Sequence, residues 1–351
     1  RDYKVTGVQT CALPISYQDK SKSEMRNFAP PIYHLFMDES FAVGKHVELI
    51  HPARFLFNAG STPAQWNKKM LSDPHFKVLY YEPDSYKIFP NLSTPIKGGI
   101  AVTYHDNTRT FGAIEAFTPY NEMNSICHKV TGNKSFKHFS DIVYSRTSYR
   151  LTEIMHKEHP EAIKKLSNGH AFDMSSNIFN RLPEIFFDQK PEDGEEYLKV
   201  LGREGNTRIY KYVRKDYINS PENLFKYKVY VAQANGSGKF GETMSHPLAE
   251  GPGVAATETF ISIGAFETQV EALNVIKYLK TKFLRALLSV LKVTQNGNKP
   301  VWKMIPLQDF TEKSDIDWTQ SIHDIDRQLY KKYGLSEEEI SFIESHVKEM
   351  K

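Results

Sequence analysis

The sequence predicts an α/β chain: half of an alternating sheet, followed by a second, mixed α+β domain. Three observations predict it. Residues 28–107 alternate helix, strand, helix, strand, strand. From Tyr197 onward, strand-like runs separated by turn residues dominate. Residues 268–292 then carry a long amphipathic helical pattern. With 351 residues and 40% apolar content, the chain can bury the cores of two or three domains.

Composition narrows the function classes. The formal net charge is only +3, so a chain-wide nucleic-acid signal is absent and any basic face must be local. The two cysteines, Cys11 and Cys127, exclude a disulfide framework and a cysteine zinc site, and fit a reducing cytoplasm. No run of about 18 apolar residues exists, so no membrane span is expected. The opening "VTGVQTCALPI" makes a poor signal peptide, because Gln9 and Thr10 interrupt its apolar stretch.

The first helix is expected from Phe28, with Ile32, Leu35, Phe36 and Phe41 on its apolar face and Pro30-Pro31 at its start. Gly44 ends it. Val47, Leu49 and Ile50 then read as a buried strand ended by Pro52. "PAQWNKKMLSD" is a helix of about three turns. "FKVLYYEPDS" (76–85) and "KGGIAVTYHDN" (97–107) are two further strands. A complete doubly wound domain has roughly six strands, so these three make half of one.

The segment "YQDKSKSEMRNFAPPIYHLFMDESFAVGKHVELIHPARFLFNAG" resembles the part of Eco57I-like adenine-N6 DNA methyltransferases that follows their catalytic motif. "IHPARFL" (50–56), "YYEPDSYKIFPN" and "IKGGIAVTYHD" resemble the later strands of that family. The resemblance implies the C-terminal half of a Rossmann-like methyltransferase sheet. In the family a strand ends in Asn-Pro-Pro-Tyr, and Tyr17 falls on the tyrosine, the ring that would stack on a flipped adenine. Pro14, Ile15 and Ser16 stand where Asn-Pro-Pro is expected. The departure removes the asparagine that would accept the adenine amino proton, and with it the Gly-rich turn for the methionine part of S-adenosylmethionine. "VTGVQTCALPI" resembles a one-frame translation of a sequencing-library adapter, so residues 1–16 are expected to be a non-native leader.

Three motifs are set aside. "GSGKFG" (236–241) follows the strand "YKVYVAQA" and matches G-x-G-x-x-G, but "ETMSHPLAEGPG" does not continue as a helix. It reads as a flexible turn whose Asn235, Ser237 and Lys239 can touch phosphates. "EPDSYK" (82–87) has no D/E-x-K nearby to complete a nuclease site, which leaves Asp84 as a loop residue. "HKEHP" (156–160) offers two histidines without a third metal ligand and reads as a solvated helix end.

Residues 135–169 are expected to be helices broken at Pro160 and stopped at Gly169. Two strand runs flank "GREGN", and "LFKYKVYVAQA" and "TETFISIGAF" are two more. In the 268–292 helix, Leu273, Ile276, Leu279, Phe283, Leu287 and Leu291 share one face, and Lys277, Lys280, Arg285 and Lys292 fall roughly opposite. Such a lysine face is either solvated or tracks a DNA backbone. "KVTQNGNKPVWKMIPLQDF" (292–310) resembles the end of the same family's target-recognition domain, which favours the second reading. The DNA-binding candidates are therefore Lys239, Lys277, Lys280, Arg285, Lys292, Gln295, Lys303 and Gln308, with Trp302 in the core. In "SDIDWTQSIHDIDRQLYKKYGLSEEEISFIESHVKEM", two helices carry Ile316, Trp318, Ile322, Ile325 and Leu329 inward, and Ser336 caps the second.

The domains expected are the leader at 1–16, the catalytic half-domain at 17–125, a helical connector at 126–185 and a target-recognition domain at 186–351. The resemblance implies a site-specific adenine-N6 methyltransferase of a restriction-modification system, acting on double-stranded DNA with S-adenosylmethionine. The alternatives are a specificity module served by a separate catalytic chain, and a combined endonuclease-methyltransferase. Lacking the cofactor half, these residues are expected to bind DNA weakly, if at all, and not to methylate, and an exposed edge of the half-sheet is expected to limit solubility.

Overall fold

A computed structural model describes residues 31–57, 62–96, 98–114, 116–205 and 207–350. The chain divides into two compact units, residues 1–120 and 121–351. The second takes in both the expected connector and the expected recognition domain.

In the first unit, α1 (Tyr33–Val43) is followed by β1 (His46–Pro52), α2 (Ala64–Ser72), β2 (Phe76–Glu82), α3 (Ser85–Ile88) and β3 (Ile100–Asp106). The strand order is β1-β3-β2, with β3 antiparallel to both neighbours. β1 and β2 therefore run parallel, joined through α2, as a crossover between parallel strands requires. α1 buries Tyr33 and Met37, four residues apart and so on one face. Leu35, two residues from Tyr33 and therefore near the opposite face, is 55% exposed, which corrects its expected place in the apolar stripe. The core gathers Tyr33, Met37, Leu49, Phe55, Trp66 and Phe76. Asp84 caps α3 by accepting from the Tyr86 N–H at 3.1 Å.

The second unit opens with α4 (Asn121–Thr131). Residues 135–169 are not mainly helical as expected. They contain a 3-10 turn (Phe139–Ile142), β4 (Val143–Tyr144), β5 (Arg150–Leu151), α5 (Glu153–Glu158) and α6 (Ala162–Lys165). Thr152 starts α5 by accepting from the Met155 N–H, and Pro160 stands just beyond its end. After α7 (Ile178–Arg181), β6 (Tyr197–Glu204) and β7 (Thr207–Arg214) form the expected hairpin, and β11 (Val254–Ala256) adds to β6 in parallel. Gly202 is needed there, since a Cβ would lie 2.3 Å from the Phe179 ring. β8 (Ile218–Asn219) pairs with β5. A four-stranded sheet runs β10 (Leu248–Glu250), β9 (Tyr227–Ala232), β12 (Phe260–Phe266), β4. One core joins Tyr149, Met155 and Phe179 to Leu198, Val213 and Phe260, so the 126–185 and 186–351 segments share it.

The expected single helix over 268–292 is two: α8 (Gln269–Lys280) and α9 (Lys282–Leu291). Thr281 separates them in an extended conformation, and its hydroxyl accepts from the Leu284 N–H to cap α9. α9 buries Phe283, Leu284, Arg285, Ala286, Leu287, Leu288 and Val290. A helix buried on nearly every side is a core element, not a surface helix with a polar face. α10 (Ile322–Lys332) and α11 (Glu337–His346) follow, with Ile316, Trp318, Ile325 and Leu329 buried and a Ser336–Glu339 capping box.

Candidate nucleic-acid interface

Two connections meet beside α9. One is the loop leaving β9, residues 233–242; the other leaves α9, residues 292–298. Asn235 N–H donates to the Gln295 carbonyl at 2.8 Å and Gly297 N–H to the Gln233 carbonyl at 2.7 Å. Ala234 and Asn296 form a β-bridge. "GSGKFG" is therefore a packed loop. Gly238, at φ +87°, could not carry a Cβ, which would fall 2.3 Å from the Thr294 nitrogen.

A carboxylate sits at the centre of this loop. Glu242 accepts from the N–H groups of Ser237 (2.7 Å) and Gly238 (2.8 Å), from the Ser237 hydroxyl (3.0 Å) and from Lys292 Nζ (3.0 Å). Burial pushes its carboxyl up, but the Ser237 and Gly238 N–H groups, Lys292 and the Ser237 hydroxyl outweigh that and hold it at about 2. The sequence points to Asn235, Ser237 and Lys239 here but not to Glu242, whose only signal is its nearness to the glycines.

The structure sorts the eight DNA-binding candidates by exposure. Lys239, Gln295 and Lys303 are exposed, and Lys239 and Gln295 lie on the two loops that pair. Lys277 and Lys280 are half-buried, and Lys277 donates to the Trp318 carbonyl. Three are buried, against the exposed placement expected. Arg285 is 1% exposed because α9 lies in the core, and its long hydrogen bonds reach the carbonyls of Glu242 (3.4 Å) and Lys280 (3.3 Å). Lys292 is buried on Glu242 and the Asn235 carbonyl (2.7 Å). Gln308 is buried, bonded to the Tyr333 hydroxyl (2.9 Å) and Lys332 Nζ (2.8 Å). None of the three presents a head group to solvent. Trp302 is buried, donating to the Gly297 carbonyl at 3.0 Å. His156 and His159 turn to different partners, the Ala171 carbonyl and the Tyr217 hydroxyl.

Tyr17, the candidate base-stacking residue, lies outside the described residues. Residues 9–89, which contain it, match the Eco57I restriction-modification methylase family. Over those residues the chain is similar to that family. The match begins ahead of Tyr17 and takes in α1, β1, α2, β2 and α3. Among solved structures the chain is similar to the type IIG restriction endonuclease BpuSI, at 11% identity and a TM-score of 0.33. That alignment covers 92% of this chain and 49% of that one, so the chain spans about half the length of that protein. No curated protein matches it. No described helix is long and apolar enough to cross a membrane.

Beyond the Eco57I-type segment, the described residues show no glycine-rich turn opening a helix. The loop that came nearest to that pattern holds Glu242, and extended chain follows it. That loop therefore does not fit S-adenosylmethionine, and no chemical step is assigned to the described residues through it.

Proposed function

We propose that this chain is part of an adenine-N6 DNA methyltransferase of a restriction-modification system, in which residues 17–125 belong to the catalytic half and residues 186–351 contact duplex DNA. The observation that carries the reading is the Eco57I-type match over residues 9–89. The first unit agrees with it: parallel β1 and β2 joined by α2, with antiparallel β3 between them, suit one end of a mostly parallel, Rossmann-like sheet. In the second unit, exposed Lys239 and Lys303 suit phosphate contacts, and exposed Gln295 suits a base edge.

No Asn-Pro-Pro-Tyr occurs in the sequence. The proposal is therefore that these residues bind duplex DNA but do not themselves transfer a methyl group. S-adenosylmethionine would be the cofactor of the whole enzyme, supplying an electrophilic methyl for the adenine amine. The test incubates the chain with S-adenosylmethionine labelled in its methyl group and a mixed-sequence duplex, and measures binding by anisotropy in parallel. Binding without incorporated label is expected. Label on adenine N6 would overturn the inactivity, and absence of binding at low salt would overturn the DNA role.

A further inference from the structure

The arrangement around Glu242 is that of an anion site with an occupant supplied by the chain. Four donors converge on one carboxylate: two backbone N–H groups, a hydroxyl and an ammonium. Successive loop N–H groups backed by a lysine form the kind of concavity that binds phosphate. The loop is shaped to its anion. Gly236 has φ +66°, and a Cβ there would lie 2.3 Å from Glu242 Oε1.

A second observation points the same way. Arg285, 1% exposed, lines the same cavity as Glu242 and Lys292, and its Nε has no hydrogen-bond partner. Lys292 pairs with the Glu242 carboxylate, while Arg285, whose nearest carboxylate is Asp326, reaches the Glu242 backbone carbonyl from the same cavity. A phosphate diester would meet the same donors, so exchanging one anion for the other leaves no donor unpaired. The Glu242 side chain is 19% exposed, and the exposed Lys239 lines the same cavity. The site is therefore reachable from solvent.

We propose that the 235–242 loop is a binding site for a nucleic-acid backbone phosphate, and that Glu242 occupies it in the free protein and is displaced when DNA binds. This rests on the DNA-binding reading above. It adds a built-in competitor, which weakens non-specific contact until a duplex is held closely enough for a phosphate to replace the carboxylate.

The experiment uses the full chain and two probes. Anisotropy of a labelled duplex over a salt series compares wild type with Glu242→Ala and with Glu242→Ala/Lys292→Met. One phosphate contact is worth about eightfold at about 0.1 M salt, so Glu242→Ala is expected to bind up to about that much tighter and the double variant to lose the gain. Inorganic phosphate, followed by ³¹P line broadening, should bind Glu242→Ala and not wild type. Unchanged duplex and phosphate binding in a folded Glu242→Ala would make Glu242 a loop clamp and overturn the proposal. Should that variant fail to fold, the amide resonances of Ser237 and Gly238 in wild type decide: they shift on duplex addition, or the proposal fails. Phosphate uptake by Glu242→Ala without any duplex binding by wild type would overturn the DNA reading instead, leaving an anion site.

Discussion

Exposure divides the candidate DNA contacts, and the division makes a quantitative prediction. Lys239 and Lys303 are free to reach phosphates; Gln308 is held in the core. Each phosphate neutralised contributes about −0.9 to the slope of log K against log salt, equivalent to about 1.2 kcal/mol, or eightfold, at about 0.1 M salt. Lys239→Ala with Lys303→Ala should flatten the slope by about 1.8 and weaken binding roughly sixty-fold there, if the two sites are independent. The loss should be the same for every duplex sequence. Gln308→Ala should leave the affinity of the folded protein unchanged. It leaves the buried Tyr333 hydroxyl without its donor, while Lys332 keeps its ion pair with Asp315, so it should cost about 1–3 kcal/mol of stability. Anisotropy over a salt series and urea melts separate the two effects. A lysine pair that leaves the slope untouched, or a folded Gln308→Ala that loses affinity, would refute the exposure argument.

Other expectations concern the buried groups that hold the second unit together. Asp326 accepts from the N–H groups of Lys282 (2.9 Å) and Phe283 (2.8 Å), so Asp326→Ala should cost about 2–5 kcal/mol in a urea melt. Burial pushes its carboxyl up to about 6 against those N–H groups. The native state then holds its proton longer than the unfolded chain, so this group lowers stability as pH rises from about 4 to about 6, and Asp326→Asn should remove that slope. Lys228 is buried, donating to the carbonyls of Leu224 (3.1 Å), Lys226 (2.9 Å) and Gly251 (2.8 Å), and burial lowers its ammonium to about 8. Lys228→Met should cost about 2–4 kcal/mol at neutral pH. It should also abolish a rise in wild-type stability between about pH 8 and about pH 10.4, where the unfolded chain binds the extra proton. Gly238→Ala should destabilise more than Gly205→Ala, because its Cβ meets backbone at 2.3 Å whereas the Cβ at Gly205 meets open space; thermal melts of the pair decide it.

Much of the fold was legible because its signals are local. β1, β2, β3, β6, β7, β9 and β12 all lie where alternation, β-branched residues or short apolar runs place them. The Ser336 cap was equally readable, since a capping box spans four residues. The errors arose where tertiary contacts overrule local pattern. Apolar periodicity runs unbroken across Thr281, yet the helix does not, because the Thr281 hydroxyl and Asp326, 45 positions on, cap a new start there. Residues 135–169 look helical by composition, but β4 and β5 are drawn into pairing with β12 and β8, which lie far away in sequence.

The same distinction governs the candidate site. On a helical wheel Arg285 stands opposite the leucines and so reads as solvent-facing. That inference assumes one buried face, and α9 is buried all round. Lys292 and Gln308 fail as surface contacts for a related reason: each fills a buried place whose partners, Glu242 for one and Tyr333 with Lys332 for the other, come from elsewhere in the chain. Residue type alone suggests what a lysine or glutamine can bind; burial decides whether the partner is DNA or the protein itself. At Glu242 the two possibilities meet. The donors that would suit a phosphate are already engaged by a carboxylate of the chain, so on the proposed reading the affinity of that loop for DNA is set by the difference between two anions competing for the same four donors, and not by the count of basic residues around it.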